Sequence, residues 1–278
     1  ILLTAHGTIP DAVTATKSGA FAFLTKPVEK EQLLEQIGAA LKVSGFASVT
    51  EDWRAGIITR NPVMEERLSQ GLIAAGSDAP LLITGQPGTG KAQLARAIHQ
   101  ASARRGGRFH VVSCVTATQE TLQSALEGRG DPGDPPRPAD APAGTVLLDE
   151  VGDLPPELQI ALNSLQDNEP VRIISTTARN LPDMIQRGRF REDLYYRLSV
   201  SRIDLPPLSQ RRDDIPLLAA HFMDELARSS GTRQVLAPEA LELLMVGDWP
   251  GNVRQLQTLI QHAASLATGP VISAELVQ

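Results

Sequence analysis

Residues Gly85 to Ala92, GQPGTGKA, constrain this chain more than any other stretch, because a glycine-rich turn closed by a lysine needs a strand before it and a helix after it. The run Pro80-Leu-Leu-Ile-Thr84 is short and apolar, the pattern of a parallel strand buried on both faces, and Gln93 to Ser102 predicts an amphipathic helix. Gly85, Gly88 and Gly90 permit a turn that aims backbone N–H groups at a polyphosphate, and Thr89 and Ala92 complete the loop. The next helix offers its positive end, and Lys91 sets an ammonium on the outer phosphates. The plain alternative is a glycine-rich turn with a surface lysine, and Ala92 stands where this pattern usually carries Ser or Thr. A second buried-strand run, Thr145-Val-Leu-Leu148, ends in Asp149-Glu150, an acidic pair suited to holding Mg²⁺ and activating water. The two motifs together predict a nucleotide site.

Composition sets the bounds around that site. With 278 residues, 42% hydrophobic and 21% charged, the chain has material for two domains or more and an ordinary core. Cys114 is the single cysteine and has no internal disulfide partner. No apolar run reaches membrane-spanning length and no leader pattern opens the chain, so a cytoplasmic protein is expected. The formal net charge of −6 argues against a large nucleic-acid surface. Ile1 falls inside a strand-like run, which predicts further residues upstream.

Taken in order, Ile1 to Ala5 and Phe21 to Leu24 predict strands, and Pro10 to Gly19 and Glu29 to Val43 predict helices, half of an alternating α/β domain. This stretch resembles the C-terminal half of a CheY-like response-regulator receiver. The resemblance makes Thr4 the switch threonine, Phe23 the switch aromatic and Lys26, before Pro27, the phosphate-sensing lysine. An ammonium and a hydroxyl beside an acyl phosphate would neutralise and report its charge. A solvated loop lysine and an ordinary strand threonine are the alternative. The phosphoacceptor aspartate and its acidic pocket belong to the other half of such a domain, so this chain is not expected to be phosphorylated as it stands.

Residues 1–43 are thus read as the receiver remnant, 44–54 as a linker, 55–208 as an α/β nucleotide-binding subdomain and 209–278 as a helical lid. Ile57 to Met64 precedes a helix running to about Gly76 and resembles the loop that packs on adenine in the AAA+ ATPases discussed below, which would make Ile57 and Ile58 base contacts; plain hydrophobic packing is the alternative. Further strands are expected at Phe109 to Ser113 and Val171 to Thr176, and helices at Thr118 to Glu127, Pro155 to Gln166 and Leu181 to Gly188, which together argue for a parallel sheet covered on both faces. Between them, Arg129 to Ala143 is a Pro, Gly and Asp tract that can bury little. A helix is expected over Phe190 to Leu198 with Arg191 and Arg197 on it, followed by three helices, Asp213 to Ser229, Pro238 to Val246 and Asn252 to Ala267, with no strand among them. Asn252 is the expected N-cap of the last, which puts Arg254 in its first turn beside the cleft.

The motifs GQPGTGK, TVLLDEVGDLP, VRIIS, GRFREDLYYRL, LSQRRDDIPLL and WPGNVRQL together resemble the AAA+ domain of the NtrC family of sigma-54-dependent activators, over about residues 55 to 278. The resemblance implies ATP with Mg²⁺, and a role for each matching residue. Lys91 would hold phosphates, Asp149 the Mg²⁺, and Glu150 the attacking water, while Arg191 and Arg197 would act as fingers on a neighbour's nucleotide and Arg254 would sense it from the lid. Ion pairing on a helix surface is the alternative for the arginines. The resemblance also implies a homo-oligomeric ring, a sensor kinase acting through a complete receiver, and DNA contact through a C-terminal helix-turn-helix that this chain does not include.

Four departures from the family pattern bear on function. The sigma-54 contact motif GAFTGA is missing, with no Phe between His110 and Arg189. The hairpin before VRIIS is reduced to Asp167-Asn-Glu-Pro170, Ser113 stands for the asparagine that holds the catalytic glutamate, and Ala178 stands for the sensor asparagine. The last two are expected to leave Glu150 and the γ-phosphate poorly coordinated. The fourth is the helix-turn-helix itself, which should follow residue 278. Three readings follow: an ATP-hydrolysing regulator of the NtrC type, a nucleotide-dependent assembly module with weak hydrolysis that regulates without sigma-54, and a protein-remodelling AAA+ ATPase outside transcription. The receiver remnant and WPGNVRQL weigh against the third.

Overall fold

The computed structural model describes residues 2–4, 23–26, 28, 51–128, 144–165 and 171–277. The helices expected at Pro10 to Gly19 and Glu29 to Val43, most of the linker, the tract Arg129 to Ala143 and the shortened segment Asp167 to Pro170 lie outside the described residues. The chain divides into two units, residues 1–53 and 54–278. In the first, β1 (Leu2–Thr4) and β2 (Phe23–Thr25) pair in parallel with Thr4 opposite Thr25, one position before the exposed Lys26.

The second unit opens at Arg54, whose guanidinium clasps Glu65 with two bonds, and continues into α1 (Pro62–Ala75). Asn61 caps α1 by accepting from the N–H groups of Val63 and Met64, and Pro62 supplies the preset φ of a first helical residue. Next come β3 (Leu81–Thr84), α2 (Lys91–Ala101), β4 (Phe109–Ser113), α3 (Gln119–Leu126), β5 (Thr145–Asp149), α4 (Pro156–Leu165) and β6 (Arg172–Thr177). After them run α5 (Leu181–Gln186), α6 (Glu192–Leu198) and β7 (Ser201–Asp204).

One parallel sheet in the order β4-β5-β6-β3-β7 results. The three inner strands are buried along almost their whole length; β3 and β5 accordingly read as apolar runs, whereas β6 buries Arg172 and three hydroxyls beside its two isoleucines. The edges alternate instead. In β7 only Ile203 is buried, and its sequence Ser-Arg-Ile-Asp carried no apolar run from which a strand could be expected. Leu82, Val112, Leu122, Leu126, Leu148, Leu162, Ile173 and Leu194 belong to the core between this sheet and its helices.

Beyond Leu205 the chain builds a helical unit from α7 (Ile215–Ser230), α8 (Pro238–Val246) and α9 (Asn252–Leu266) around its own core of Leu218, Phe222, Leu244, Trp249, Leu256 and Ile260. Here the expectation of helices alone is corrected, since β8 (Val235–Leu236) and β9 (Val271–Ile272) pair in parallel. Two residues per strand leave too little periodicity to be seen in a sequence. No described helix is long and apolar enough to cross a membrane.

Candidate nucleotide site

The loop between β3 and α2 takes the form its glycines allow. Gly90 is the N-cap of α2 at φ 101° and gives no side-chain cap, so the first N–H groups of α2 are left for an anion. Gly88, at φ 77°, has no room for a side chain either, because a Cβ there would lie 2.1 Å from the Gly251 carbonyl oxygen. The helix starts at Lys91, two residues earlier than expected, which puts Lys91 and Ala92 in its first turn.

Lys91 is buried at 6% exposure, and its ammonium spends its three protons on the Gly85 oxygen at 3.1 Å, the Gln86 oxygen at 3.3 Å and Glu150 Oε1 at 2.9 Å. The second Glu150 oxygen accepts from the Ala178 N–H at 2.6 Å. A backbone N–H, indifferent to the side chain of residue 178, thus holds the carboxylate. Ser113 makes no hydrogen bond to Glu150 among the described residues; it is exposed at the end of β4, across from Asp149. Thr89, also buried, donates its hydroxyl to the Gln86 oxygen and so stiffens the loop from inside.

Gly88, Gly90, Lys91, Ala92, Asp149, Glu150 and Arg254 line one cavity of about 350 Å³. Gly85 does not line it; it shapes the loop by accepting from Lys91. Next to it, Ile57 and Ile58 line a space of about 170 Å³ with Gly90, Gln93, Phe222 and Val253, and Ile58 also packs on the lid core. Asp149 and Glu150 are the only carboxylates lining the larger cavity, and no cluster of three or more His, Cys, Asp or Glu fit for a metal occurs among the described residues. A pair of acidic side chains suits Mg²⁺, which is held by one or two carboxylates together with substrate phosphates rather than by an all-protein cage.

Arg191 and Arg197 do not line this cavity. Arg191 lies outside the helix expected for it, at its N-cap in an extended conformation, and forks onto Asp193 at 3.0 and 2.7 Å. That hydrogen-bonded pair holds the Asp193 carboxyl below the usual range and lifts the guanidinium further above its own. Arg197 donates to the backbone and side-chain oxygens of Asn163, whose amide in turn donates to Asp193. Both arginines thus meet in one cluster, Arg191 exposed and Arg197 half-buried, with partners in their own chain.

Asn252 corrects another expectation. It is the first residue of α9, not its N-cap, at φ 52°, and its side chain is committed elsewhere. Its oxygen accepts from the Leu208 N–H at 2.7 Å, and its amide donates to the Pro87 oxygen at 2.9 Å and to Gln86 Oε1 at 3.1 Å. Two further residues of the site escaped the sequence reading. Arg211, 2% exposed, donates to the Thr89 oxygen at 2.8 Å, and burial pushes its guanidinium down. Thr176, fully buried, touches both acids. A run of three hydroxyls, Ser175 to Thr177, inside a strand with no exposed position was the available signal, since most buried hydroxyls are hydrogen-bonded.

Residues 57–204 match the family described as the sigma-54 interaction domain, and residues 209–278 match the AAA+ ATPase lid domain. The transcriptional regulatory protein GlrR of Escherichia coli K12 is 43% identical over 299 residues, an alignment covering all of this chain and 67% of the relative. The transcriptional regulatory protein ZraR of the same organism is 36% identical over 298 residues, with 98% and 68% covered. Among solved structures, NtrX from Brucella abortus in complex with ATP superposes with a TM-score of 0.70 at 32% identity, over 99% of this chain and 69% of that one.

Proposed function

Because the chain belongs to the sigma-54 interaction domain family, with the AAA+ lid that follows it in sequence, we propose that it is the ATP-binding core of a two-component transcriptional regulator of the NtrC type. The convergence of Lys91, Asp149, Glu150 and Arg254 on one cavity at the ends of parallel strands carries this reading. ATP lies with its phosphates on the Gly85 to Ala92 loop and the start of α2, and its base against Ile57 and Ile58. Lys91 exchanges the Gly85 and Gln86 carbonyls for phosphate oxygens. Asp149 would hold Mg²⁺, which would neutralise phosphate charge. Glu150 orients and deprotonates the attacking water, and Arg254 touches the nucleotide from the lid. Arg191 and Arg197, which do not line this cavity, complete the site of a second copy in a homo-oligomeric ring. Residues 1–43 act as the end of a receiver addressed by a sensor kinase, with Thr4, Phe23 and Lys26 as its switch. DNA contact belongs to a helix-turn-helix outside this chain.

A second element concerns the partner. The tract Gly128 to Gly144 holds five prolines, three aspartates and no aromatic residue, whereas interface energy concentrates in buried aromatic and arginine anchors. We therefore propose that this chain does not engage sigma-54 through the family's loop. Calorimetric titration tests the nucleotide site: Lys91→Ala weakens ATP binding at least about tenfold, about 1.4 kcal/mol, and equal affinities would remove Lys91 from it. A pull-down with a transition-state nucleotide analogue tests the second element. Capture of sigma-54 holoenzyme that is lost on deleting residues 130–141 would overturn it, and the assembly-module reading predicts nucleotide-dependent oligomers with no such capture.

A further inference from the structure

Thr176 sits one position before the end of β6, at 0% exposure, against the end of β5. Its hydroxyl oxygen accepts from the Glu150 N–H at 3.1 Å, and its proton goes to Asp149 Oδ1 at 2.5 Å. A hydroxyl has one proton to give, and with the Glu150 N–H on its oxygen that proton is directed at the carboxylate. The bond is short, as expected for a hydroxyl on a charged acceptor.

Two consequences meet at this one atom. Asp149 is held by one oxygen, while its other oxygen carries no hydrogen bond among the described residues and the residue lines the cavity beside Lys91. Glu150 stands at φ 55° and ψ 56°, a left-handed backbone that L residues rarely adopt, and the Thr176 hydroxyl anchors the N–H of that turn. The same turn sends the Glu150 carboxylate back to Lys91 and the Ala178 N–H.

We infer that Thr176 is the positioning residue for the acidic pair: it sets Asp149 toward a nucleotide-bound divalent cation and fixes the turn that aims Glu150. This rests on the nucleotide-site reading above. The Thr176 hydroxyl on Asp149 and the Ala178 N–H on Glu150 together hold both acids from β6 and the residue just past it.

The test uses the whole chain with Thr176→Val, which keeps shape and removes the hydroxyl, and Thr176→Ser, which keeps the hydroxyl. ATP affinity is measured without divalent cation, and Mn²⁺ affinity in the presence of ATP is then read by electron paramagnetic resonance. Thr176→Val retains cation-free ATP binding, with a change smaller than that in cation affinity because the loop N–H groups and the Lys91 contacts to Gly85 and Gln86 remain, and holds Mn²⁺ about 10- to 100-fold more weakly, the usual effect of losing an outer-shell hydrogen bond. Thr176→Ser recovers most of that loss. Parent-like Mn²⁺ affinity in folded Thr176→Val, or a loss in Thr176→Ser as large as in Thr176→Val, overturns the inference. If Thr176→Val does not fold, Thr176→Ala takes its place with the same expectations, and unfolding of both variants assigns Thr176 to the fold and overturns the positioning role. If the parent binds no ATP at all, the nucleotide reading falls and takes this inference with it, an outcome distinct from failure of the Mn²⁺ readout alone.

Discussion

Cys114 follows β4 and donates its backbone N–H to the Asp149 carbonyl at 2.9 Å. Burial, with the charges of Asp149, Asp153 and Glu150 adding to it, pushes its thiol up to about 12. The thiolate is the reactive form, so at pH 8 only about one molecule in 10⁴ carries it. Iodoacetamide at that pH is expected to leave the native protein unmodified and to label it fully in urea, as mass spectrometry would show. Asp214 is the opposite kind of residue, a fully buried charge with many partners. It accepts from the Thr59 hydroxyl at 2.7 Å, the Arg60 N–H at 2.8 Å and the Asn61 N–H at 3.2 Å, and Arg211 lies 3.9 Å away. Asp214→Ala leaves two backbone donors and the Thr59 hydroxyl without their acceptor and a buried guanidinium without its counter-charge, a loss of about 3 to 5 kcal/mol. Urea unfolding reads this, and Asp214→Asn, which keeps one acceptor oxygen, loses less.

At the scale of elements, α2 ties the site to the far end of the sheet. His99 near its C-terminus is buried at 4% exposure, meets Thr145 Oγ1 at 2.9 Å and packs 5.2 Å from the Phe109 ring, which also takes the Arg96 guanidinium. Burial holds its imidazole below the ordinary value of 6.5, opposed by a hydrogen bond with the Gly107 backbone and aided by Arg96 and Arg172. The unfolded chain therefore takes up the proton first, so stability is full above about pH 6.5 and is lost as pH falls through that value toward the depressed folded one. His99→Gln removes this slope, and melting curves of the parent and the variant converge between pH 7.5 and about 5.5. The other tie is the start of α9. Asn252→Ala deprives the Leu208 N–H of its acceptor and leaves an alanine at φ 52°, together about 2 to 4 kcal/mol in urea. Elements like these also mark how far the sequence could be read. Strands β3 and β5 were legible because burial on both faces writes itself as an apolar run, Asp149 and Glu150 because they end the second run, and Lys91 because it closes the glycine turn after the first. The edge strand β7 was not, since one buried residue makes no pattern. Nor were Asn252 and Thr176, whose roles depend on which loop or strand lies opposite, and Arg191 slid out of its expected helix because Asp193 and Gln159 hold the turn that precedes it.

For the whole molecule, the placement of Arg191 and Arg197 away from the cavity sets an expectation about assembly. Turnover per subunit should rise with protein concentration, and Arg191→Ala should lower it by about 10³ or more, the range for arginine fingers supplied in trans. A mixture of Lys91→Ala and Arg191→Ala chains decides the point, because each lacks what the other retains and only a shared site restores activity above both. Measured turnover that stays flat over a wide dilution series argues for a self-sufficient chain. Within each copy, one contact has a mechanical side. The Gly88 oxygen accepts from the Val253 N–H at 3.1 Å, and the turn before α9 fills the space where a side chain at Gly88 would go. Helix α9 is 15 residues long, a rod of about 22 Å. Rooted directly on the loop, it works as a lever with a very short input arm: a tilt of about 5° at Gly88 swings its far end by about 2 Å. Whatever rests on Leu266, exposed at that tip, feels the loop's smallest adjustment magnified.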